Sequence, residues 1–221
     1  MKYGLFFLIV AVLLTAVAVI YRGWWYLLLW PALSFGVVAL GYLLLGARVF
    51  GKSERGLLSP INQLVLLPYL VYLWSIWCLL RLVRREPPVN QLTEKLFIGR
   101  RLFSTERPNN VDYVIDLTCE FNEPKGLRSG GYFSYPILDG LVPPLEQLNQ
   151  WIEQTAALDG TILIHCAEGH GRTGLFAAML LVYLDHSQTT DAALQLIQTK
   201  RPLVRLNSQQ LRMLQEINSS R

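Results

Sequence analysis

Thr161-Ile162-Leu163-Ile164-His165-Cys166-Ala167-Glu168-Gly169-His170-Gly171-Arg172-Thr173-Gly174 reads in three parts. Thr161–His165 is a short apolar run after an Asp159-Gly160 turn, the pattern of a buried strand. Cys166–Gly171 contains Gly169 and Gly171, which permit close approach of the backbone. Thr173–Leu184 is an apolar helix. A strand that enters such a loop and leaves into a helix can turn backbone N–H groups inward as an anion nest. The positive end of the helix falls at the same spot. Cys166 is therefore expected to be a thiolate at neutral pH. Arg172, separated from it by five residues, offers a planar fork for two phosphate oxygens.

Outward from this centre, strand and helix alternate. Leu96–Ile98 predicts a short strand, Asp112–Leu117 a better one and Tyr132–Ile137 a third. Pro143-Pro144 opens a helix to about Ala157, with Leu145, Leu148, Ile152 and Ala156 near helical spacing. Asp191 is read as the cap of a helix to Lys200, and Asn207 or Ser208 as the cap of the last one. This order implies an α/β domain with a central, partly parallel sheet flanked by helices. Residues 86–221 are assigned to it.

The segment resembles the cysteine-based phosphatases of the tyrosine and dual-specificity superfamily, whose signature His-Cys-x5-Arg-Ser/Thr stands here as His165-Cys166…Arg172-Thr173. The resemblance covers roughly residues 90–221 by the order of motifs. It implies that Cys166 attacks phosphorus and forms a phosphocysteine. It implies that Arg172 binds the phosphate, that Thr173 helps the thiolate leave, and that His165 orders the loop and supports the thiolate. Ala167, Glu168, Gly169, His170, Gly171 and Arg172 make the phosphate-binding loop. The family also needs an upstream general acid. Asp139, in Tyr135-Pro136-Ile137-Leu138-Asp139-Gly140, lies 27 residues before Cys166 and is assigned that role over an ordinary turn residue. Asp116 is the rival, read as ending a strand and ordering a loop. Glu168 and His170 either border the substrate or face solvent. Cys119 either protects Cys166 by a disulfide, as in some relatives, or is a small buried apolar residue, the reading favoured here. Arg201-Pro202, Asn207 and Gln210 follow a family-like pattern and are read as structural. Neither a Trp-Pro-Asp loop nor the phosphotyrosine-depth motif of the large tyrosine phosphatases is visible, which favours the small dual-specificity type.

The first third of the chain is of another kind. Tyr3–Tyr21, Gly23–Ala47 and Gly56–Leu80 are uncharged runs of 19, 25 and 25 residues. A span needs about 20 apolar residues. Three transmembrane helices are expected, at about 3–21, 23–47 and 56–81, in a membrane domain of residues 1–85. A cleaved signal peptide is the alternative for the first run, disfavoured because the next run follows within a few residues. Trp24, Trp25, Tyr26 and Trp30 suit a membrane border, and Tyr69, Tyr72, Trp74 and Trp77, deeper in the third run, suit packing between helices. Gly36, Gly41 and Gly46 are candidates for a close helix contact. No Asp, Glu, Lys, Arg or His lies within the runs, which disfavours transport. Arg84-Arg85-Glu86-Pro87-Pro88 is read as a short stiff linker.

Composition separates these halves. Residues 1–85 carry eight Lys/Arg and one acid, and residues 86–221 carry twelve Lys/Arg and fifteen acids. The net +4 is therefore no nucleic-acid signal, because the basic residues flank apolar runs. Hydrophobic residues at 52% and charged residues at 16%, against about 25% charged in soluble domains, exclude a wholly soluble or disordered chain. Three cysteines exclude a disulfide scaffold. His186 lacks ligand-spaced companions, so no metal and no cofactor is expected. Positive charge on the two sides of the spans is about even. The reactive thiol favours a cytoplasmic catalytic domain.

The expected function is a multi-pass, membrane-anchored phosphomonoesterase, acting on a phosphoprotein or alternatively on a phospholipid headgroup, with membrane lipid as the other partner and no nucleic acid. A catalytically dead phosphate-binding scaffold is the competing class. Arsenate reduction or sulfur transfer is disfavoured because resolving cysteines are not evident.

Overall fold

The computed structural model describes residues 2–219. Its contacts fall into two units. One holds the chain up to Ser53, Leu57–Arg85 and Cys119–Asn122; the other holds Glu54–Gly56, Glu86–Thr118 and the chain from Glu123 onward.

Three segments of the first unit are long and apolar enough to cross a membrane: Lys2–Tyr21, Gly23–Phe50 and Pro60–Val83. They form a multi-pass membrane anchor. α1 is Lys2–Tyr21. The middle span is not one regular helix, as its uncharged run suggested. It consists of a 3-10 turn at Gly23–Leu28, α2 at Leu29–Leu40, a π turn at Gly41–Leu45 and a 3-10 turn at Gly46–Phe50. Gly23 and Gly46 take φ of +57° and +63°, a conformation that breaks a helix and that glycine adopts without strain. Of the other two glycines, Gly41 is tightly packed, since a Cβ there would meet Val49 Cγ2 at 2.8 Å. Gly36 has only an ordinary contact to Ala11. α3, Pro60–Val83, begins later than its apolar run. The chain before it folds back through a bridge of Lys52 with Leu58, and Ser59 N–H donates to Gly51 O at 3.0 Å. Pro60 then opens the helix, where its missing N–H costs nothing.

Pro68 lies inside α3 and cannot donate to the carbonyl four residues back. That carbonyl, of Leu64, accepts instead from Trp30 Nε1 at 3.2 Å. A neighbouring segment thus repairs the defect where water is absent. Phe7 packs against Phe35, Tyr42 and Tyr69 with ring centroids 5.9, 5.6 and 5.4 Å away, so Tyr69 packs between helices as expected.

The second unit runs β1 Val89–Gln91, β2 Leu96–Arg100, β3 Tyr113–Thr118, β4 Gly131–Ile137, α4 Leu145–Ala156, β5 Ile162–Cys166, α5 Gly171–Tyr183, α6 Thr190–Lys200 and α7 Ser208–Ser219. The five strands form one sheet in the order β1-β2-β5-β3-β4. Only β1 is antiparallel to its neighbour, and its three residues carry no strand signal in the sequence. Side chains alternate across the strands. Ile115, Ile162 and Ile164 enter the core with Leu148 and Ile152 of α4 and with α5, while Val114 and Leu163 join Leu102, Val111 and Leu127 in a smaller cluster. Arg172–Val182 of α5 are all buried, and at 13 residues α5 is too short to span a bilayer. Thr189, not Asp191, caps α6, its Oγ1 accepting from Ala192 N–H. Asn207 Oδ1 caps α7, accepting from Gln209 and Gln210 N–H at 2.9 and 3.0 Å.

Candidate active site

Parallel strands align their carboxyl ends at one edge of a sheet, where loops build sites in α/β folds. β3, β4 and β5 are parallel, so Thr118, Ile137 and Cys166 end on that edge. Cys166 is buried. Gly169 N–H donates to its Sγ at 3.2 Å. The loop carbonyls are taken by donors from outside the loop. Ala167 O accepts from Arg101 N–H at 3.2 Å, while Glu168 O and Gly169 O each accept from Arg201 at 2.9 Å. With its carbonyls held outward, the loop has the arrangement of an anion nest.

Gly169 is indispensable to this path. Its φ is +75°, and a Cβ there would lie 2.4 Å from the carbonyl carbon and oxygen of Gly99. Gly99 is itself confined, since its Cβ would meet Pro88 O at 2.4 Å. Linker, β2 and loop are thus stacked backbone on backbone.

Arg172 follows the loop in the first turn of α5 and is 1% exposed. Its Nη1 donates to Ile137 O at 2.9 Å and Leu117 O at 3.4 Å, carbonyls at the ends of β4 and β3. Asp139, whose side chain is 72% exposed, brings Oδ1 to 3.3 Å from Arg172 Nε. The turn that carries it is fixed by Leu141 N–H to Leu138 O and by Asn207 Nδ2 to Gly140 O, 3.0 and 2.8 Å. Thr173 is fully buried, and its Oγ1 has no hydrogen-bond partner.

The loop side chains divide. His170 Nε2 lies 2.7 Å from Glu86 Oε2, and its Nδ1 is 3.9 Å from Glu168. His165 points away from the core that holds Cys166, toward Glu123, with 3.4 Å between Nε2 and Oε1. Glu123 is also 3.4 Å from Arg101 Nε. Among the described residues, Asp116, Glu123 and His165 bring potential metal-ligand atoms within 4.8 Å of one another. Of the three, Asp116 already has its carboxylate engaged by protein donors. Asp116 accepts from Thr118 N–H and Oγ1 and from Tyr132 O–H at 2.8, 2.7 and 2.8 Å, and Arg101 neighbours Glu123. The cluster is a buried polar network behind the loop, and Asp116 orders the end of β3 as expected. Burial, then the Asp116 carboxylate, hold the Tyr132 phenol far above its ordinary value, so it remains a donor. Cys119 is buried with a free thiol that donates to Glu120 Oε2 at 3.3 Å.

Residues 102–220 match the sequence model of the dual specificity phosphatase catalytic domain, more than half of the chain. The chain belongs to the dual specificity phosphatase family. Among solved structures, it is similar to human DUSP28, with a TM-score of 0.52, 17% identity, and coverage of 61% of this chain and 95% of that one. The active form of Tk-PTP gives 0.53, 25%, 60% and 97%. PTPMT1 in complex with PI(5)P gives 0.53, 16%, 61% and 96%. No curated protein matches the sequence. Fold and family support a phosphatase-type activity for this dual specificity phosphatase domain.

Two groups around the loop escaped the sequence reading. In the sequence Glu86 is one residue of the short stiff linker, and Glu123, between Asn122 and Pro124, carries no signal of its own. Neither belongs to a local motif. Arg201, buried and donating to both Glu168 O and Gly169 O, is structural as read, but what it structures is the loop.

Proposed function

We propose that the chain is a membrane-anchored phosphomonoesterase working through a phosphocysteine on Cys166, a dual-specificity phosphoprotein phosphatase with its catalytic domain on the cytoplasmic face. Residues 1–85 serve as anchor and residues 86–221 as catalyst. The observation that carries this reading is the convergence of Asp139 on Arg172, 3.3 Å apart, beside the Cys166 loop.

Arg172 and the loop N–H groups hold the phosphate oxygens. Cys166 Sγ attacks phosphorus and the S–P bond forms. The ester P–O bond breaks, and its electron pair leaves on the substrate oxygen, which takes a proton from Asp139. Water then attacks the phosphocysteine and gives its proton to Asp139. The S–P electron pair returns to sulfur, to which the Thr173 hydroxyl donates. His165, held by Glu123, fixes the loop from behind. No step calls for a metal or a cofactor.

The test is phosphate release from phosphopeptides and from phosphoinositide vesicles by the full chain in detergent, beside Cys166→Ser. Turnover of phosphopeptides that vanishes in Cys166→Ser, with phosphate-ester binding retained, is the expected result. Preference for vesicles would move the substrate to the lipid headgroup. Substantial turnover by clean Cys166→Ser protein would overturn the mechanism.

A further inference from the structure

We infer that Glu86, in the linker that follows α3, is a positioning residue for the phosphate loop. Its carboxylate joins the loop residue His170 to Arg201. The inference rests on the phosphatase reading above.

Glu86 lies three positions after the last residue of α3, yet its side chain is only 11% exposed. One oxygen, Oε2, takes two partners: His170 Nε2 at 2.7 Å and Arg201 Nη2 at 3.0 Å. The His170 ring is 15% exposed. It faces two acids, Glu86 and the more distant Glu168. With a carboxylate as acceptor, the ring N–H donates to Glu86. The 2.7 Å length belongs to the charge-assisted, stronger class of hydrogen bonds.

Arg201 carries the same tie to the backbone. Its Nε and Nη2 donate to Gly169 O and Glu168 O, and its Nη1 donates to Pro87 O and Asn90 Oδ1 at 2.9 and 2.7 Å. One buried guanidinium therefore holds linker and loop together, and Glu86 supplies the negative charge beside it. Pro88 O accepts from Arg100 N–H at 3.0 Å and presses on Gly99, on which Gly169 rests. The linker is part of the wall that sets the loop's path. Without the carboxylate, His170 and Arg201 lose their common acceptor, and the loop carbonyls are held less firmly outward. Phosphate grip should fall while the fold remains.

The experiment compares the full chain in detergent as wild type, Glu86→Gln, Glu86→Asp, His170→Gln and the Glu86→Gln/His170→Gln double variant. It reads kcat/KM on a small aryl phosphate, binding of inorganic phosphate by calorimetry, and thermal unfolding. Glu86→Gln is expected to weaken phosphate binding and kcat/KM each by about tenfold with little change in the unfolding temperature. Glu86→Asp should recover most of the loss. The double variant should be no worse than the more damaging single one, as for two residues acting through one contact. Phosphate binding by Glu86→Gln within twofold of wild type would overturn the inference, as would additive losses in the double variant. If Glu86→Gln fails to fold, His170→Gln with unaltered phosphate binding overturns it equally. A wild type that binds phosphate without turning over any ester would sink the phosphatase reading, while the binding series still judges Glu86. Absence of both binding and turnover would remove both.

Discussion

Asp139 reaches in from an exposed turn and sets its carboxylate 3.3 Å from the buried Nε of Arg172. An ion pair with one partner so open to water is worth at most about 1 kcal/mol. On the mechanism proposed above, an incoming phosphate displaces it from the guanidinium and leaves the carboxyl beside the leaving oxygen.

Asp139→Asn should slow hydrolysis of alkyl phosphates by about 10²–10⁴-fold and of activated aryl phosphates far less, because only a poor leaving group needs a proton. Steady-state rates on a graded leaving-group series check this. Equal losses across the series would assign the acid elsewhere, with Asp116 next to be tested.

Gly169→Ala puts a methyl group where 2.4 Å separates it from the Gly99 carbonyl, at a φ of +75°. Backbone alone stands in the way, so no rotamer relieves the clash. A loss of kcat/KM of at least about tenfold is expected together with a lowered unfolding temperature, since alanine at positive φ is itself unfavourable by about 1 kcal/mol. Native-like kinetics in the variant would show that the loop can take another path.

Tyr132 links pH to stability. Its phenol is held well above the ordinary 10.0 by burial and by Asp116. Below that ordinary value both folded and unfolded chains keep the proton, and the contribution is intact. Above it the unfolded chain releases a proton that the folded chain retains, so stability falls by up to about 1.4 kcal/mol per pH unit. Denaturant unfolding between pH 8 and 11 should show that fall, and Tyr132→Phe should flatten it. The variant should also lose about 1–3 kcal/mol at neutral pH, because Asp116 Oδ2 loses its donor. An unchanged alkaline slope in Tyr132→Phe would refute the assignment.

Truncation tests the division into anchor and catalyst. A chain that starts at Arg84 should be soluble, hydrolyse a small aryl phosphate near the full-length rate, and lose most activity on membrane-tethered substrate, since a tether supplies an effective concentration near mM. A chain that starts at Pro88 lacks Glu86 and the Pro87 carbonyl that Arg201 holds. It should be about tenfold weaker on the small substrate. Equal rates for the two truncations would deny the linker any part in the loop, and an Arg84 chain without small-substrate turnover would refute the division.

The three uncharged runs and the α/β domain were legible because each is written in contiguous residues. Apolar length marks a span, and strand, glycine loop and helix follow one another from Thr161 onward. What escaped was long-range. β1 has three residues after two prolines, and only its pairing with Phe97–Gly99 makes it a strand. Glu86 and Arg201 meet across more than a hundred residues of chain, and neither periodicity nor composition records that meeting. The segmented middle span hinges on positive φ at Gly23 and Gly46, where the sequence showed glycines but not which of them bend. At α6, Asp191 and Thr189 both offered a capping oxygen, and a shift of two residues decided between them.

The register between β3 and β4 skips. Asp116 pairs with Ser134, but Thr118 pairs with Ile137, so β4 spends one extra residue across Tyr135-Pro136, where Pro136 has no N–H for the ladder. Arg172 Nη1 bonds Leu117 O and Ile137 O, one carbonyl on each strand beside the skip. The guanidinium is thereby keyed to the alignment of two strands that lie far from it in sequence. A slip of β4 by one residue would swap the groups facing it and unseat the arginine. On the phosphatase reading proposed above, a chain whose sheet closes out of step has no seat for its phosphate-gripping arginine.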